Sequence, residues 1–553
     1  MTGDATVQNG LSGGAVLVRE LLARGVDTVF CVPGESYLAA LDALHDVADR
    51  IRLIVCRHEA GAANMAEAWG KLTGRPGVCF VTRGPGACHA SIGVHTAKQD
   101  GTPLILFVGQ IPTDQKGRGA FQEVDYRAAF GDLAKWATEI EDARRIPEIV
   151  GRAFATATGG RPGPVVVALP EDVLEAVVDV PAAAPTRHHP PAPDAAALAD
   201  LGGLLAGAQR PLVLLGGSGW TDEGTAALAD FVRANGLPVV CGWRRQHLFD
   251  NRDPHYAGDA GLGINPKLKA RIGESDLILA VGTRLGEIVT DGYTTLAVPS
   301  PAQAVAHVHQ DAGELGRVYA PRLAIQADPN AFALAAAATL SADGTRWAAW
   351  REAARADYEA WRQPVRVVGP VDMAAIVRWL SDHLPEDAIV SNGAGNFAAW
   401  LHRFFRYKRR ATQLAPTSGA MGYGLPAAIA AKLRHPDRRV VAWTGDGEFM
   451  MTVQELATIA RHDVPVIMVV VNNSSYGTIR MHQERRYPGR VVATDLVNPD
   501  FVALAAAFGI QGRRVTSTDA FAPAFLEAEA SGRAALIEIV LPTAELSPGF
   551  KLA

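Results

Sequence analysis

An acid and two amides stand where buried strands should end. In VVAWTGDGEFMMTVQELATIARHDVPVIMVVVNNSSYGTIR, residues 440–480, Asp446 closes one apolar run and Asn473 follows the next, 27 positions later. The stretch TVQELATIARH between them suits a crossover helix, so the two runs read as parallel neighbours with both side chains at one sheet edge. Gly445 and Gly447 let the backbone approach a bulky anion, and the start of the following helix offers unpaired N–H groups to phosphate oxygens. A carboxylate, an amide oxygen and a turn carbonyl, here that of Ser475, are hard oxygen donors suited to magnesium bridging a diphosphate. An Asp N-cap followed by a turn-forming Asn pair would use the same residues. Glu59, after IRLIVCRH, is a further acid at a strand exit, and a solvated or helix-capping role is the plainer account of it.

The elements that would position these residues repeat along the chain. Short runs rich in Val, Ile and Leu alternate with longer amphipathic stretches, the pattern of parallel strands buried on both faces with crossover helices. At 553 residues the chain is too long for one core, and three domains of about 150–200 residues are expected. TVFCVPG, IRLIVCRHE, GVCFVTRGPG, PLILFVGQIP and GPVVVALPEDV read as strands of a first domain, residues 1–180. The Pro- and Ala-rich stretch around 180–200 reads as a linker. A second α/β domain spans 195–340. A helix with an aromatic stripe (Trp347, Trp350, Tyr358, Trp361) then leads to a third domain over 365–553, whose element order resembles the first. The aromatic stripe fits packing across a domain joint.

Composition narrows the function classes. The chain is 48% hydrophobic and 20% charged with net charge −5, a balance that argues against general nucleic-acid binding. Cys31, Cys56, Cys79, Cys88 and Cys241 are too scattered for a disulfide framework or a CxxC metal site, and read as small buried hydrophobes. The opening MTGDATVQNGLSGG has no apolar core of a secretory signal, and VPVIMVVV is too short to span a membrane. A cytoplasmic protein is expected.

GDG followed some two dozen residues later by NN is the spacing shared by enzymes that use thiamine diphosphate, and the chain resembles them from end to end. The resemblance is carried by RHEAGAANMAEAWGKLTGRPGVCFVTRGPGACHASIGVHTAKQDGTPLILFVGQIP, AFQEVD and GRPGPVVVALPEDV in the first domain, and by TSGAMGYGLPAAIAAKL ahead of GDG in the third. Within that group the chain resembles the large-subunit acetolactate synthase branch. The resemblance implies an α/β fold of three domains, each a parallel sheet flanked by helices. Pyrimidine-binding and diphosphate-binding domains of like topology would enclose a central Rossmann-like domain.

The resemblance also implies roles. Glu59 would hydrogen-bond the aminopyrimidine ring; a carboxyl shielded from water can share a proton with the ring nitrogen, favouring the imino tautomer that removes the thiazolium C2 proton. Met421 would prop the cofactor into its bent shape. Gly395, Asn396 and Phe397 would touch the diphosphate, and Gly445, Asp446, Gly447, Glu448, Asn473, Tyr476 and Gly477 would also bind the cofactor. Asp446, Asn473 and Ser475 would hold the metal. Pro33, Pro85 and Gln122 would face the pyrimidine or the reacting carbon, with Gln122 and Phe121 placed to position an acceptor. The implied reaction is thiamine-diphosphate- and Mg2+-dependent decarboxylation of a 2-oxo acid, with the resulting enamine joined to a second carbonyl. The alternatives are a non-ligating decarboxylase, a C–C lyase such as a 2-hydroxyacyl-CoA lyase, and an inactive regulatory homologue. A homodimer or homotetramer with sites at the subunit interface is implied.

Three features depart from that pattern or leave it open. His482 stands where acetolactate synthases carry a Trp that shapes the acceptor pocket. GTRLGE and HVHQDAGELGR loosely resemble flavin-holding segments, so FAD in the central domain is carried as an option; Arg284 fits either a flavin pyrophosphate or a domain-joint carboxylate. LLGGSGW fits a nucleotide turn or an ordinary strand-to-helix turn. HRFFRYKRR, residues 402–410, is the one local basic cluster, by default a solvated face and otherwise a seat for a phosphate-bearing substrate.

Overall fold

The computed structural model describes residues 10–186 and 189–552. The opening nine residues, read above for a leader, and linker residues 187–188 lie outside that set. Two compact units are present: Met1–His188 with Gln454–His462, and His189–Val453 with Asp463–Ala553.

The runs of branched apolar residues form three six-stranded sheets, and every pairing within them is parallel. Strands such as Leu104–Gln110 and Val440–Gly445 are buried along their whole length. That explains their continuous apolar character: helices cover both faces, so no face needs polar alternation.

Strand order distinguishes the sheets. With strands numbered within each sheet along the chain, the first sheet (Thr28–Cys31 to Pro164–Pro170) and the third (Ile389–Asn392 to Ala535–Val540) both run 2-1-3-4-6-5. The middle sheet, Pro211–Leu215 to Leu323–Gln326, runs 3-2-1-4-5-6, the dinucleotide-fold order. Two sheets of like topology thus flank a Rossmann-like one in the sequence.

Local chemistry sets the elements that carry the candidate residues. Helix Glu59–Thr73 starts where the His58 imidazole accepts from the Ala60 N–H and stops at Gly74 in a left-handed conformation. Helix Pro85–Asp100 opens on a proline, whose missing N–H costs nothing there. Small residues let these two helices touch: a methyl group on Gly93 would fall against Ala63.

Within the second unit, the aromatic stripe joins the middle sheet to the last. Trp347 and Trp350 donate to the carbonyls of Asn235 and Pro211, while the Arg403 guanidinium lies 3.7 Å over the Trp361 ring. Cys31, Cys56, Cys79 and Cys241 are buried, but Cys88 is exposed on helix Pro85–Asp100, which corrects its reading as a buried hydrophobe. No helix among the described residues is long and apolar enough to cross a membrane.

Candidate active site

In the third sheet, the first and third strands are neighbours and the strand order reverses at them, which is where open parallel sheets bind ligands. A cavity of about 250 Å³ opens at that edge. Its wall takes Gly395, Asn396 and Phe397 from the first strand's exit, Gly445 to Glu448 from the third, and Asn473, Ser475, Tyr476 and Gly477 from the fourth, with Met421 alongside. The third and fourth strands are adjacent and parallel, with Gly445 in register with Val471.

Asp446 is 3% exposed, and burial raises its affinity for a proton against the bonds it accepts. Its Oδ1 takes the Gly447 N–H at 2.9 Å, and its Oδ2 takes the Asn498 amide at 2.8 Å. The same Asn498 nitrogen lies 3.0 Å from Oδ1 of Asn472. Asn472 in turn donates to Glu538 at 2.7 Å, so the first member of the Asn-Asn pair is spent inside the protein. The second, Asn473, is the one on the cavity wall. Glu448 is buried deeper still; burial pushes its carboxyl up to about 8, and Oε1 takes the Gly424 N–H at 3.0 Å.

This donor set fits a metal-bound diphosphate. Asp446, Asn473 and Ser475 present oxygens of the kind magnesium prefers. Among the described residues, the buried Oγ of Ser475 and Oε2 of Glu448 have no hydrogen-bond partner. Helix Gly477–Arg486 begins on the wall with no side-chain cap at Tyr476; its Gly477 N–H turns to the Ser475 carbonyl at 2.8 Å, and the N–H groups of Thr478 and Ile479 are the ones left for phosphate oxygens. The helix after Gly445, by contrast, is only four residues long. Gly445 and Gly447 also give close approach to rings: a methyl group on the first would meet Phe397, on the second Tyr476.

The first unit gathers the remaining candidates at its own sheet edge. Glu59 is the first residue of its helix, with a side chain 13% exposed, and its Oε2 lies 2.9 Å from Nδ1 of His89. Pro85 begins the helix carrying His89. The Gly84 N–H donates to the Tyr126 hydroxyl, and Gly84 packs against Gln122, whose φ of 64° is left-handed. Phe121 beside it is 72% exposed. Pro33 precedes Gly34, which packs on Thr82 of the same loop cluster.

Ligand atoms of His58, Glu59 and His89 lie within 4.8 Å of one another. The two imidazoles stack at 4.5 Å and 27°, so their lone pairs run alongside each other instead of converging, and Nδ1 of His58 already accepts from Ala60. The cluster is therefore a hydrogen-bonded one rather than a metal centre.

Several readings are refined. Arg284 sits 3.3 Å from Glu314 within the central domain, so its carboxylate partner is not at a domain joint. Gly217 is left-handed, with its Cα against the carbonyl of Gly282, a reason for glycine that needs no nucleotide. The basic cluster is largely paired: Arg403 with the Trp361 carbonyl, Arg406 with Glu359, Lys408 with the Leu384 carbonyl and Arg410 with Asp222. His482 is exposed on helix Gly477–Arg486. Sequence reasoning missed Asn498, and also Trp400, Leu541, Glu545 and Leu546 on the cavity wall. Asn498 sits in an Asn-Pro turn that reads as loop; nothing local marks the others.

Three family models match along the chain: the thiamine pyrophosphate enzyme N-terminal TPP binding domain over residues 11–129, the central domain over 198–336, and the C-terminal TPP binding domain over 393–539. The chain is 34% identical over 536 residues to an acetolactate synthase large subunit of Parasynechococcus marenigrum, covering 93% of this chain and 85% of that one. It is 32% identical over 513 residues to the acetolactate synthase isozyme 2 large subunit of Escherichia coli, covering 92% of each. A probable acetolactate synthase large subunit of Methanocaldococcus jannaschii is 32% identical over 567 residues, covering 97% of this chain and 93% of that one. The chain belongs to the thiamine-pyrophosphate-dependent enzymes, on the branch of the acetolactate synthase large subunits.

Proposed function

We propose that the protein decarboxylates a 2-oxo acid and joins the retained fragment to a second carbonyl compound, using thiamine diphosphate and Mg2+. The observation that carries this reading is the convergence of Asp446, Asn473, Ser475 and the uncapped start of helix Gly477–Arg486 on one cavity. Thiamine diphosphate held there would supply a nucleophilic carbon and an electron sink for the decarboxylation. The protein's residues bind, orient and handle protons. Asp446, Asn473 and the Ser475 carbonyl take the metal, and the helix start takes the diphosphate. Met421 supports the middle of the cofactor. Glu59, nearly buried, gives and takes a proton at the pyrimidine nitrogen. Pro33, Pro85 and Gln122 would face the pyrimidine or the reacting carbon, and Gln122 and Phe121 would position an acceptor.

The two halves of each site come from different subunits in this reading, so the working unit is a homodimer or a pair of them. Ultracentrifugation that finds an active monomer at assay concentrations would remove this part. Glu59→Gln should lower turnover of every 2-oxo acid by about 100-fold or more; unchanged turnover overturns the mechanism, and a parent protein that turns over none of them would leave the inactive cofactor-binding homologue. Asp446→Ala should lose thiamine diphosphate on gel filtration with magnesium, and full retention would contradict the metal assignment.

His482, in place of the acceptor-pocket Trp, favours testing the non-ligating and lyase outcomes alongside ligation. Following carbon dioxide and coupled product from pyruvate and other 2-oxo acids separates them: carbon dioxide with only aldehyde marks a decarboxylase. FAD in the central domain is tested by colour, since a purified protein without flavin absorbance carries none in stoichiometric amount.

A further inference from the structure

We propose that His89 is a positioning residue for Glu59: its imidazole fixes one carboxyl oxygen so that the other is presented to the cofactor ring. The inference rests on the functional reading above, and the contact that prompts it is the 2.9 Å approach of His89 Nδ1 to Glu59 Oε2.

A carboxyl at the first position of a helix, held by nothing else, rotates about its last bond and offers either oxygen in many directions. Here one oxygen is taken. Oε1 makes no hydrogen bond within the described residues, and the space beside it is left by Gly86, where a methyl group would come into contact with it at 3.4 Å. The imidazole is itself held. It stacks on His58 at 4.5 Å, and His58 is locked by the Ala60 N–H on its Nδ1 at 3.1 Å. The two helices that carry Glu59 and His89 are in close contact through Gly93 and Ala63. Two rings and two helices thus fix a single carboxyl orientation, the kind of prior ordering that catalysis exploits.

No other side chain competes for that role. Tyr37 and Cys79 feel the Glu59 charge, but burial pushes both of their protons on more tightly, so neither carries charge. Glu455 is turned to the backbone N–H groups of Arg57 and His58 and to the Thr458 hydroxyl. His58 has its Nδ1 engaged. Among the described residues, His89 is the titratable side chain that hydrogen-bonds Glu59. With the proton on Nδ1, it donates to Oε2 and leaves the carboxyl proton to exchange at Oε1.

Two substitutions separate the hydrogen bond from the stacking. His89→Phe keeps a ring against His58 and removes the donor; His89→Asn removes the ring and keeps an N–H donor at similar reach. In the holoenzyme, the rate of deuterium exchange at the cofactor's reacting carbon, read by quenched NMR, should fall about 10- to 100-fold in His89→Phe. It should stay within about threefold of the parent in His89→Asn, with thiamine diphosphate affinity unchanged in both. In cofactor-free protein with labelled histidine, the hydrogen-bonded imidazole N–H signal lost in His89→Phe should also be lost in Glu59→Gln. Parent-like exchange in His89→Phe overturns the proposal, as does an Asn variant as slow as the Phe variant, or a loss that lies wholly in cofactor affinity. Parent enzyme showing no thiamine-diphosphate-dependent exchange at all would instead refute the functional reading.

Discussion

Asn498 occupies the point where the Asp446 carboxyl meets the interior of the sheet. One amide nitrogen serves both Asp446, 52 positions earlier, and Asn472, and behind Asn472 stand Glu538 and Arg514. Removing it leaves a buried carboxylate short of a donor and free to turn. Under the metal assignment proposed above, Asn498→Ala is expected to weaken magnesium-dependent thiamine diphosphate binding by about 10- to 100-fold, as loss of a partner behind a metal ligand commonly does. Cofactor titrations at fixed and varied magnesium would read this, and equal affinities would show the amide to be dispensable. Asp446 and Asn473 could be found in the sequence because each closes an apolar run and a fixed spacing separates them. Asn498 could not: its partners lie far off along the chain, and an Asn before a Pro has an ordinary turn role.

At the scale of elements, strand exits and helix starts do the positioning, and close packing of rings on glycines keeps them in place. Gly445→Ala would set a methyl group 2.5 Å from the Phe397 ring. The ring must move into the cavity, at a cost of about 1–3 kcal/mol. Urea unfolding of the cofactor-free protein would measure that loss, and cofactor affinity should fall with it; an unperturbed variant would mean the ring has room elsewhere. Continuous apolar runs made the buried strands legible, since they carry no competing period. The reason for the glycines was not legible, because an anion and an aromatic ring demand the same missing side chain.

Across the whole molecule, the repeated order 2-1-3-4-6-5 around a Rossmann-like middle was foreshadowed by the likeness of element order in the outer thirds, while the pairing of particular strands needed the structure. The contacts within the second unit also carry a pH response. His402 lies edge-on to Trp243 near Arg244, and burial holds its imidazole down to about 3. The unfolded chain takes up that proton below about pH 6.5 while the folded one does not, so stability falls as pH drops from about 6.5 towards 3, by on the order of 1 kcal/mol per pH unit. His402→Gln should flatten that slope in denaturant titrations between pH 6.5 and 4, and an unchanged slope would place the acid sensitivity elsewhere.

Glu455 lies about four hundred positions downstream of Arg57 and His58, yet its carboxylate caps the two amides just ahead of the Glu59 helix, and it belongs to the same compact unit. A recombinant fragment ending near residue 186 would keep every pyrimidine-side candidate and still lack that acceptor. Excising or swapping the front of this chain as a cassette would therefore disturb the start of the Glu59 helix, whose support is encoded in two stretches about four hundred residues apart.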